Sequence, residues 1–436
     1  MTEEKKGLAL HWQILIAMGA GTVVGTIINV LHTNGVIPAG AVDLIGGIGQ
    51  SVGKIFLSLL KMVVVPLVFA SLVSAVTGLR GQADLRKLGA VTGGYYLVTS
   101  IFAISVGIIV ANIVKPGKGV RYDDLMPKGA EAATAAAKLS EKAGDQSVWD
   151  VVGGIVFRMI PPNVVDAARD NRNMLAVIFF ALVLGYFINK ADADRAARAS
   201  QFFDDAFAIM MRMTHGIIQL APYGIFGYIV YVIGTTGFAL LKPLAWYAVA
   251  VILGLGFHAF VTLPALLWLL TRRNPVTLFK AVWPALATAF STASSSGTLP
   301  LTIKCLNDAG VKPRITSFVL PLGATINMDG TALYEAAAVL FIAQMLGDLT
   351  LGQQVVVAFT ALLASVGAAG IPHAGTVMMV VVLGAVGLPT EAVLTILAVD
   401  RPLDMLRTTV NVWSDSTCTA VVAKFSGESN AAEAAA

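Results

Sequence analysis

The sequence predicts an all-α protein that crosses a membrane many times, and three features predict it. Of its 436 residues, 56% are hydrophobic and only 13% carry charge, whereas ordinary soluble domains carry about 25% charged residues. Its mean hydropathy is +0.78. Apolar runs recur along the chain, several reaching the ~20 residues a helix needs to cross a hydrocarbon core. The basic residues sit between those runs, at Lys5 and Lys6, Arg80 to Lys87, Lys190 to Arg198, and Arg272 with Arg273, in every second loop, while HTNGVIPAGAVD has none. That asymmetry predicts a cytoplasmic N-terminus. It also accounts for the formal charge of +4, since no basic patch interleaved with aromatics points to nucleic acid.

Taken in order, the first run is WQILIAMGAGTVVGTIINVL. It is too long for a signal peptide and no small-residue cleavage site follows it, so it reads as a retained span. IFLSLLKMVVVPLVFASLVSAV and YYLVTSIFAISVGIIVANIV follow. Lys54 and Lys61 in the second span are expected to snorkel or to meet protein partners. Residues 115–147 are poor in aromatics and rich in Ala, Gly and Lys, and read as an extracytoplasmic loop without chemistry. MLAVIFFALVLGYFI and runs around 209–234 and 244–271 come next. Cys305 and Cys418 lie far apart, with neither a CxxC nor a His at metal spacing, and say nothing about redox chemistry.

The second half differs. ATAFSTASSSGTLPLTI (287–303) and LLASVGAAGIPHAGTVMMV (362–380) are apolar segments interrupted by small and helix-breaking residues. Non-helical backbone at membrane depth must be buried in protein or line a wet cavity. Each broken segment is followed by a polar helix, TINMDGTALYEAA and then 399–418, so the pattern occurs twice. Small residues also permit close helix packing. Two broken segments, each paired with a charged helix, fit better an internal repeat around a central site, as in secondary transporters.

The stretch VDRPLDMLRTTVNVWSDSTC carries Asp400, Arg401, Asp404, Arg407 and Asp415 between apolar neighbours. On a helix, Asp400, Asp404, Arg407 with Thr408, Asn411 and Asp415 share one face. At ~2.5 to 3.5 kcal/mol per charge, facing them to lipid would cost on the order of 10 kcal/mol or more. They must face protein, water or ligand. Mutual pairing is the default for a single acid and base. With a hydroxyl and an amide between them, the set describes a pocket for a small zwitterion bearing an extra carboxylate, which the planar fork of arginine grips with two hydrogen bonds. Asn327 to Thr331, NMDGT, adds Asp329, and Gly330 is expected to weaken the helix there. Carboxylate, amide and carbonyl oxygens suit an alkali cation. Glu335, with no basic neighbour in sequence, is a candidate proton site or a satisfied interhelical hydrogen bond.

SSSGTLP, ATINMDGTALYEA, GAAGIPHAG and DMLRTTVNVWSD, in this order and spacing, resemble the glutamate and aspartate transporter family of dicarboxylate and amino acid:cation symporters. The likeness spans essentially the whole chain. It implies eight transmembrane helices plus two re-entrant helical hairpins, inverted repeats, and a homotrimer in the plasma (inner) membrane with both termini cytoplasmic and lipid around it. It implies scaffold segments at 1–84 and 148–236, the latter also trimerising, and a mobile transport domain of 85–114 and 237–425 that moves like an elevator. The loop 115–147 and a cytoplasmic tail, 426–436, complete the chain.

Carried over by motif, Arg407 would bind the substrate's side-chain carboxylate and Asp404 its amino group. Ser295, Thr331, Thr408, Asn411 and the backbone of Ile371 and Gly375 would complete the pocket, with the second hairpin's tip as gate. The resemblance implies three sodium sites: Asp415, Asn411, Asn327 and the backbone of Gly323; Thr325, Met328 and backbone near Ser365; and Tyr96, Thr99, Ser100, Asn327 and Asp329. Glu335 resembles members that also move a proton and counter-transport potassium. The chain departs from the family pattern at Ala293 and Met405, where a second arginine is usual at one or the other, and Arg401, one turn before Met405, is the candidate substitute. Pro402 has no counterpart and is expected to kink its helix.

The expected function is symport of L-glutamate or L-aspartate with Na+, with H+ or K+ as further ions. The nearest alternative is a proton-coupled glutamate or C4-dicarboxylate symporter, although succinate has no ammonium for Asp404 to hold. A membrane serine protease is disfavoured, because neither STASSSG nor His373 sits in a nucleophile motif with an orienting partner. A channel needs no fitted Arg and Asp pair.

Overall fold

A computed structural model describes residues 10–78, 86–120, 153, 157, 159–169, 173–237, 241–367 and 374–427, and every element of regular structure among them is helical. Helices α1 (Leu10–Thr33), α2 (Ala39–Thr77) and α3 (Arg86–Val114) open the chain. Short α4 (Val164–Ala168), α5 (Met174–Lys190), α6 (Ala193–Ile218) and α7 (Ala221–Thr236) follow. The second half runs through α8 (Leu241–Phe257), a π-helical turn (His258–Thr262), α9 (Leu263–Thr271), α10 (Pro275–Thr292), α11 (Ser295–Asp308) and α12 (Pro313–Ile326). It ends with α13 (Asp329–Leu346), α14 (Leu351–Gly367), α15 (Ala374–Val386), a 3-10 turn (Thr390–Ala392) and α16 (Val393–Phe425).

Five helical stretches among the described residues are long and apolar enough to cross a membrane, or up to six if α6 and α7, bent by 43°, make one span. Two of these stretches are composite, α8 with the π-turn and α9, and α12 with α13. Length and composition therefore do not by themselves reach the expected eight. α16 has 33 residues but is not among them, since it carries the charged stripe. Most of the expected loop (121–147), Lys5 and Lys6, residues 79–85 with Arg80, and the tail from 428 lie outside the described residues, while Arg86 and Lys87 open α3. Cys305 and Cys418 are free and buried.

Packing sorts the helices into two groups. In one, α7 lies against α1 and α2, and α2 also against α5 and α6. In the other, α3 packs on α13 and α8, while α9, α10, α12 and α13 pack on α16, and α14 packs on α15 and α13. α13 is enclosed on every side, with Asp329 to Ala343 all buried, which is the expected place for a helix that is apolar around its circumference. Lys61 of α2 donates to Thr390 Oγ1 at 2.8 Å and to Glu391 Oε1 at 2.7 Å. Of its two expected fates, it takes protein partners, whereas Lys54 is exposed.

α2 and α7 touch backbone to backbone. A methyl group on Gly227 would lie 2.8 Å from the carbonyl oxygen of Gly49, and one on Gly49 would overlap the Gly227 carbonyl. Only residues without a Cβ permit that approach. Gly49→Val is therefore expected to destabilise the protein by ~1–3 kcal/mol through overpacking, read as a fall of several degrees in the unfolding temperature of purified protein.

Candidate functional site

Three helix breaks surround α16. In the first, α10 ends at Thr292, Ala293 adopts a left-handed conformation (φ 49°), and Ser294 caps α11 by accepting from Gly297 N–H at 3.0 Å. The Ser and Gly run thus ends one helix and starts the next, as its composition predicts, and the two helices pack on each other and on α16. The second break separates α14 from α15, which also pack together. Ile371 and His373 fall within 368–373, outside the described residues. The third break is at Asn327 and Met328, both non-helical, between the C-terminus of α12 and the N-terminus of α13.

That last position corrects the expectation for Gly330, which lies in the first turn of α13 and is helical. Its missing side chain serves close approach instead, since a Cβ there would sit 2.6 Å from the Arg407 carbonyl oxygen. Pro402 lies inside α16, which runs as one helix from Val393 to Phe425.

The stripe on α16 is buried, and its charges pair. Arg407 donates to Asp404 Oδ1 through Nε at 3.0 Å and through one terminal nitrogen at 2.9 Å. The same terminal nitrogen lies 3.1 Å from Asp400 Oδ1, and the guanidinium stacks 4.0 Å from the Tyr334 ring centroid. Arg401 reaches the other Asp404 oxygen at 3.2 Å. Two carboxylates and two guanidiniums therefore neutralise one another, which is how such charges tolerate burial. The other terminal nitrogen of Arg407 has no hydrogen-bond partner among the described residues, and Gly375 of α15 lies against it, so that a Cβ there would be 2.7 Å away.

Below this cluster lies a layer of neutral and acidic oxygens. Asn411 accepts from Gly330 N–H at 2.7 Å and donates to Thr331 Oγ1 at 3.3 Å. Asn327 donates to Asp415 Oδ1 at 2.9 Å and to Ser414 Oγ at 3.0 Å. Asp329 accepts from Ser100 at 2.6 Å and from Ser414 at 2.6 Å, and faces His258 Nε2 at 3.3 Å. Tyr96 donates to Val319 O at 2.9 Å, and Thr99 to Tyr96 O at 3.1 Å. The carbonyl side of Asn327 and both oxygens of Glu335 are buried without a hydrogen-bond partner among the described residues.

Most residues singled out in the sequence thus meet. Asp404, Arg407, Arg401, Thr331, Gly375 and Asn411 adjoin one another, and Tyr96, Ser100, Asn327, Asp329, Gly323 and Asp415 form the layer beneath, bridged by Met328, whose sulfur lies 3.3 Å from Asn411 Nδ2. Ser295, at the start of α11, and Thr408 are buried. Thr325 and Ser365 bond to their own helices, to Pro321 O and Leu362 O. Sequence reasoning missed Tyr334, Thr376, Ser414 and His258. His258 had a usable signal, a lone ionisable residue inside an apolar run at membrane depth. It sits in the π-helical turn, whose Ala259 carbonyl accepts from Trp413 Nε1 at 2.9 Å, and such turns often occur at functional sites.

A family model described as the sodium:dicarboxylate symporter family matches residues 10–425. Excitatory amino acid transporter 1 of Ambystoma tigrinum is 36% identical over 435 residues, covering 86% of this chain and 76% of that protein. Excitatory amino acid transporter 3 of Oryctolagus cuniculus is 36% identical over 413 residues, with 86% and 78% covered. Excitatory amino acid transporter 2 of Homo sapiens is 37% identical over 410 residues, with 84% and 71% covered.

Proposed function

The chain belongs to the sodium:dicarboxylate symporter family, that of the glutamate and aspartate transporters, and from that membership we propose that it imports L-glutamate or L-aspartate together with sodium. It is an integral membrane transporter, not an enzyme. The observation that carries the substrate reading is the buried pair of Arg407 and Asp404 in one cluster. An acidic amino acid brings one carboxylate for the guanidinium and one ammonium for the aspartate, so it exchanges their mutual bonds for equivalent ones. A dicarboxylate without an ammonium would leave Asp404 uncompensated, which is costly in a buried site.

Sodium is cargo in this reading, and oxygens of Asp415, Asn327, Gly323, Asp329, Tyr96, Thr99 and Ser100 are its hard ligands. Thr325, Met328 and Ser365 supply the remaining candidate site. The C-terminal end of α12 points at the break and favours a cation there. Asn411 touches both layers, which gives substrate and sodium one shared residue. Arg401 takes the place of the second arginine, supported by its contact with Asp404. Glu335 is the candidate for an added proton or for potassium counter-transport. The two packing groups support a scaffold and a transport domain at the boundaries given above, and the reading includes elevator-like movement, eight spans, two re-entrant hairpins and a homotrimer in the plasma membrane with both termini cytoplasmic.

The test is uptake of labelled L-aspartate and L-glutamate into proteoliposomes under an imposed sodium gradient or an imposed proton gradient, at matched potential. Sodium-driven uptake is expected, with excess succinate competing poorly. Uptake driven by protons without sodium would replace this reading by a proton-coupled symporter centred on Glu335. In the sodium-driven case, Glu335→Gln is expected to remove any dependence of net uptake on external pH or internal potassium.

A further inference from the structure

Asp400 heads the charged stripe yet has no part in the roles above. It is 1% exposed, and three elements converge on its carboxylate. Tyr334 of α13 donates to Oδ1 at 2.7 Å, Arg407 of α16 lies 3.1 Å from the same oxygen, and Thr376 of α15 donates to Oδ2 at 2.9 Å. Gly375, the residue before Thr376, is the one lying against the unpartnered end of the Arg407 guanidinium.

A guanidinium on a flexible stem has two rotational freedoms that matter here, the tilt of its plane and its rotation within that plane. The Tyr334 ring fixes the first by stacking at 4.0 Å. Asp400 acts on the second, since its Oδ1 lies 3.1 Å from the same terminal nitrogen that Asp404 Oδ1 holds at 2.9 Å, so the two carboxylates compete for one donor. The two carboxylates share one cation, so each weakens the other's hold on it.

We propose that Asp400 is the positioning residue for Arg407: it keeps the guanidinium from closing fully onto Asp404, and through Thr376 it ties that orientation to α15. This rests on the reading of Arg407 and Asp404 as the substrate pair. An incoming carboxylate must displace Asp404 from Arg407. With Asp400 neutral, the whole charge of Arg407 falls on Asp404, and displacement becomes harder. With the Thr376 hydroxyl removed, Asp400 loses its anchor to α15 and holds Arg407 in that orientation less firmly, so part of the effect of a neutral Asp400 appears.

The experiment is a double-mutant cycle on the full chain in proteoliposomes, measuring KM and maximal rate for L-aspartate at saturating sodium. Asp400→Asn is expected to raise KM at least tenfold with maximal rate changed less than threefold, and Thr376→Val to raise KM several-fold. The double variant should be no worse than Asp400→Asn alone, because residues acting through one contact are not additive. Thr376→Ser, which keeps the hydroxyl, should restore KM toward the wild-type value, an outcome a role in folding alone does not produce. Independent, multiplying effects, or a KM within twofold of wild type for both Asp400→Asn and Thr376→Val, overturn the proposal. Should Asp400→Asn fail to fold, the contrast between Thr376→Val and Thr376→Ser decides. Wild-type vesicles that accumulate no L-aspartate overturn the substrate reading and this role together, whereas wild-type uptake with unaffected variants overturns this role alone.

Discussion

Arg407→Ala is expected to abolish measurable uptake of L-aspartate. The guanidinium is buried to 1% exposure, holding Asp404 by two contacts, meeting Asp400 at 3.1 Å and stacking on Tyr334. Truncating one partner of a buried hydrogen-bonded charge pair costs ~2–5 kcal/mol of binding, and at about 1.4 kcal/mol per tenfold change that alone lowers apparent affinity by roughly one to four powers of ten. Arg407→Lys separates charge from geometry. It keeps the cation but presents a compact ammonium without the planar fork, so KM is expected to rise by at least tenfold. Sodium-dependent protection against thermal unfolding should survive in both variants, because the sodium layer is built from other residues. A lysine variant that transports L-aspartate like wild type would sink the assignment of Arg407 to the substrate's side-chain carboxylate.

The second large effect falls on the cation layer. Gly323 of α12 carries no side chain where Asp415 and Tyr96 converge, and a Cβ at that position would overlap an Asp415 oxygen and lie 2.5 Å from the Tyr96 hydroxyl. Neither neighbour is free to retreat, since Asn327 holds that same oxygen of Asp415 and Tyr96 is tied to Val319 O. Gly323→Ala is therefore expected to raise the sodium concentration for half-maximal uptake by more than tenfold while the protein still folds. Overpacking of this kind costs ~1–3 kcal/mol. Titration of sodium-dependent uptake and of sodium-dependent thermal stabilisation checks it. An unchanged sodium dependence would remove Asp415 and Tyr96 from the cation layer.

The charged stripe was legible because helical periodicity needs only one segment: Asp400, Asp404, Arg407 and Asn411 repeat at the spacing of a single face. The Ser and Gly run after Thr292 was legible for a similar reason, as local composition dictates where a helix stops. What joins these pieces was not. Tyr334 and Thr376 meet Asp400 across 66 and 24 residues of sequence, and no propensity or period encodes which of many buried hydroxyls will do so. Gly330 misled because glycine reads as a helix breaker, while here it serves to let two backbones pass. Asp404 and Arg407 illustrate a further ambiguity, since the same two residues satisfy each other and suit a zwitterion.

The π-helical turn at His258–Thr262 has a consequence for register. From Val251, an unbroken repeat of 3.6 residues would bring positions near 262, 265 and 269 to the protein side. Thr262 is buried as that repeat requires, but beyond it Leu263, Leu267 and Thr271 are buried, while Ala265 and Leu269 face outward. One residue more than an α-turn holds rotates all that follows by about 100°, so α8 can offer one flank to α3 and α9 another to α16 within a single stretch. Deleting one residue there would make a better helix and a worse protein. The backbone would relax into regular bonding, and every side chain from Leu263 to Thr271 would turn a quarter-circle away from the partner it was numbered to meet.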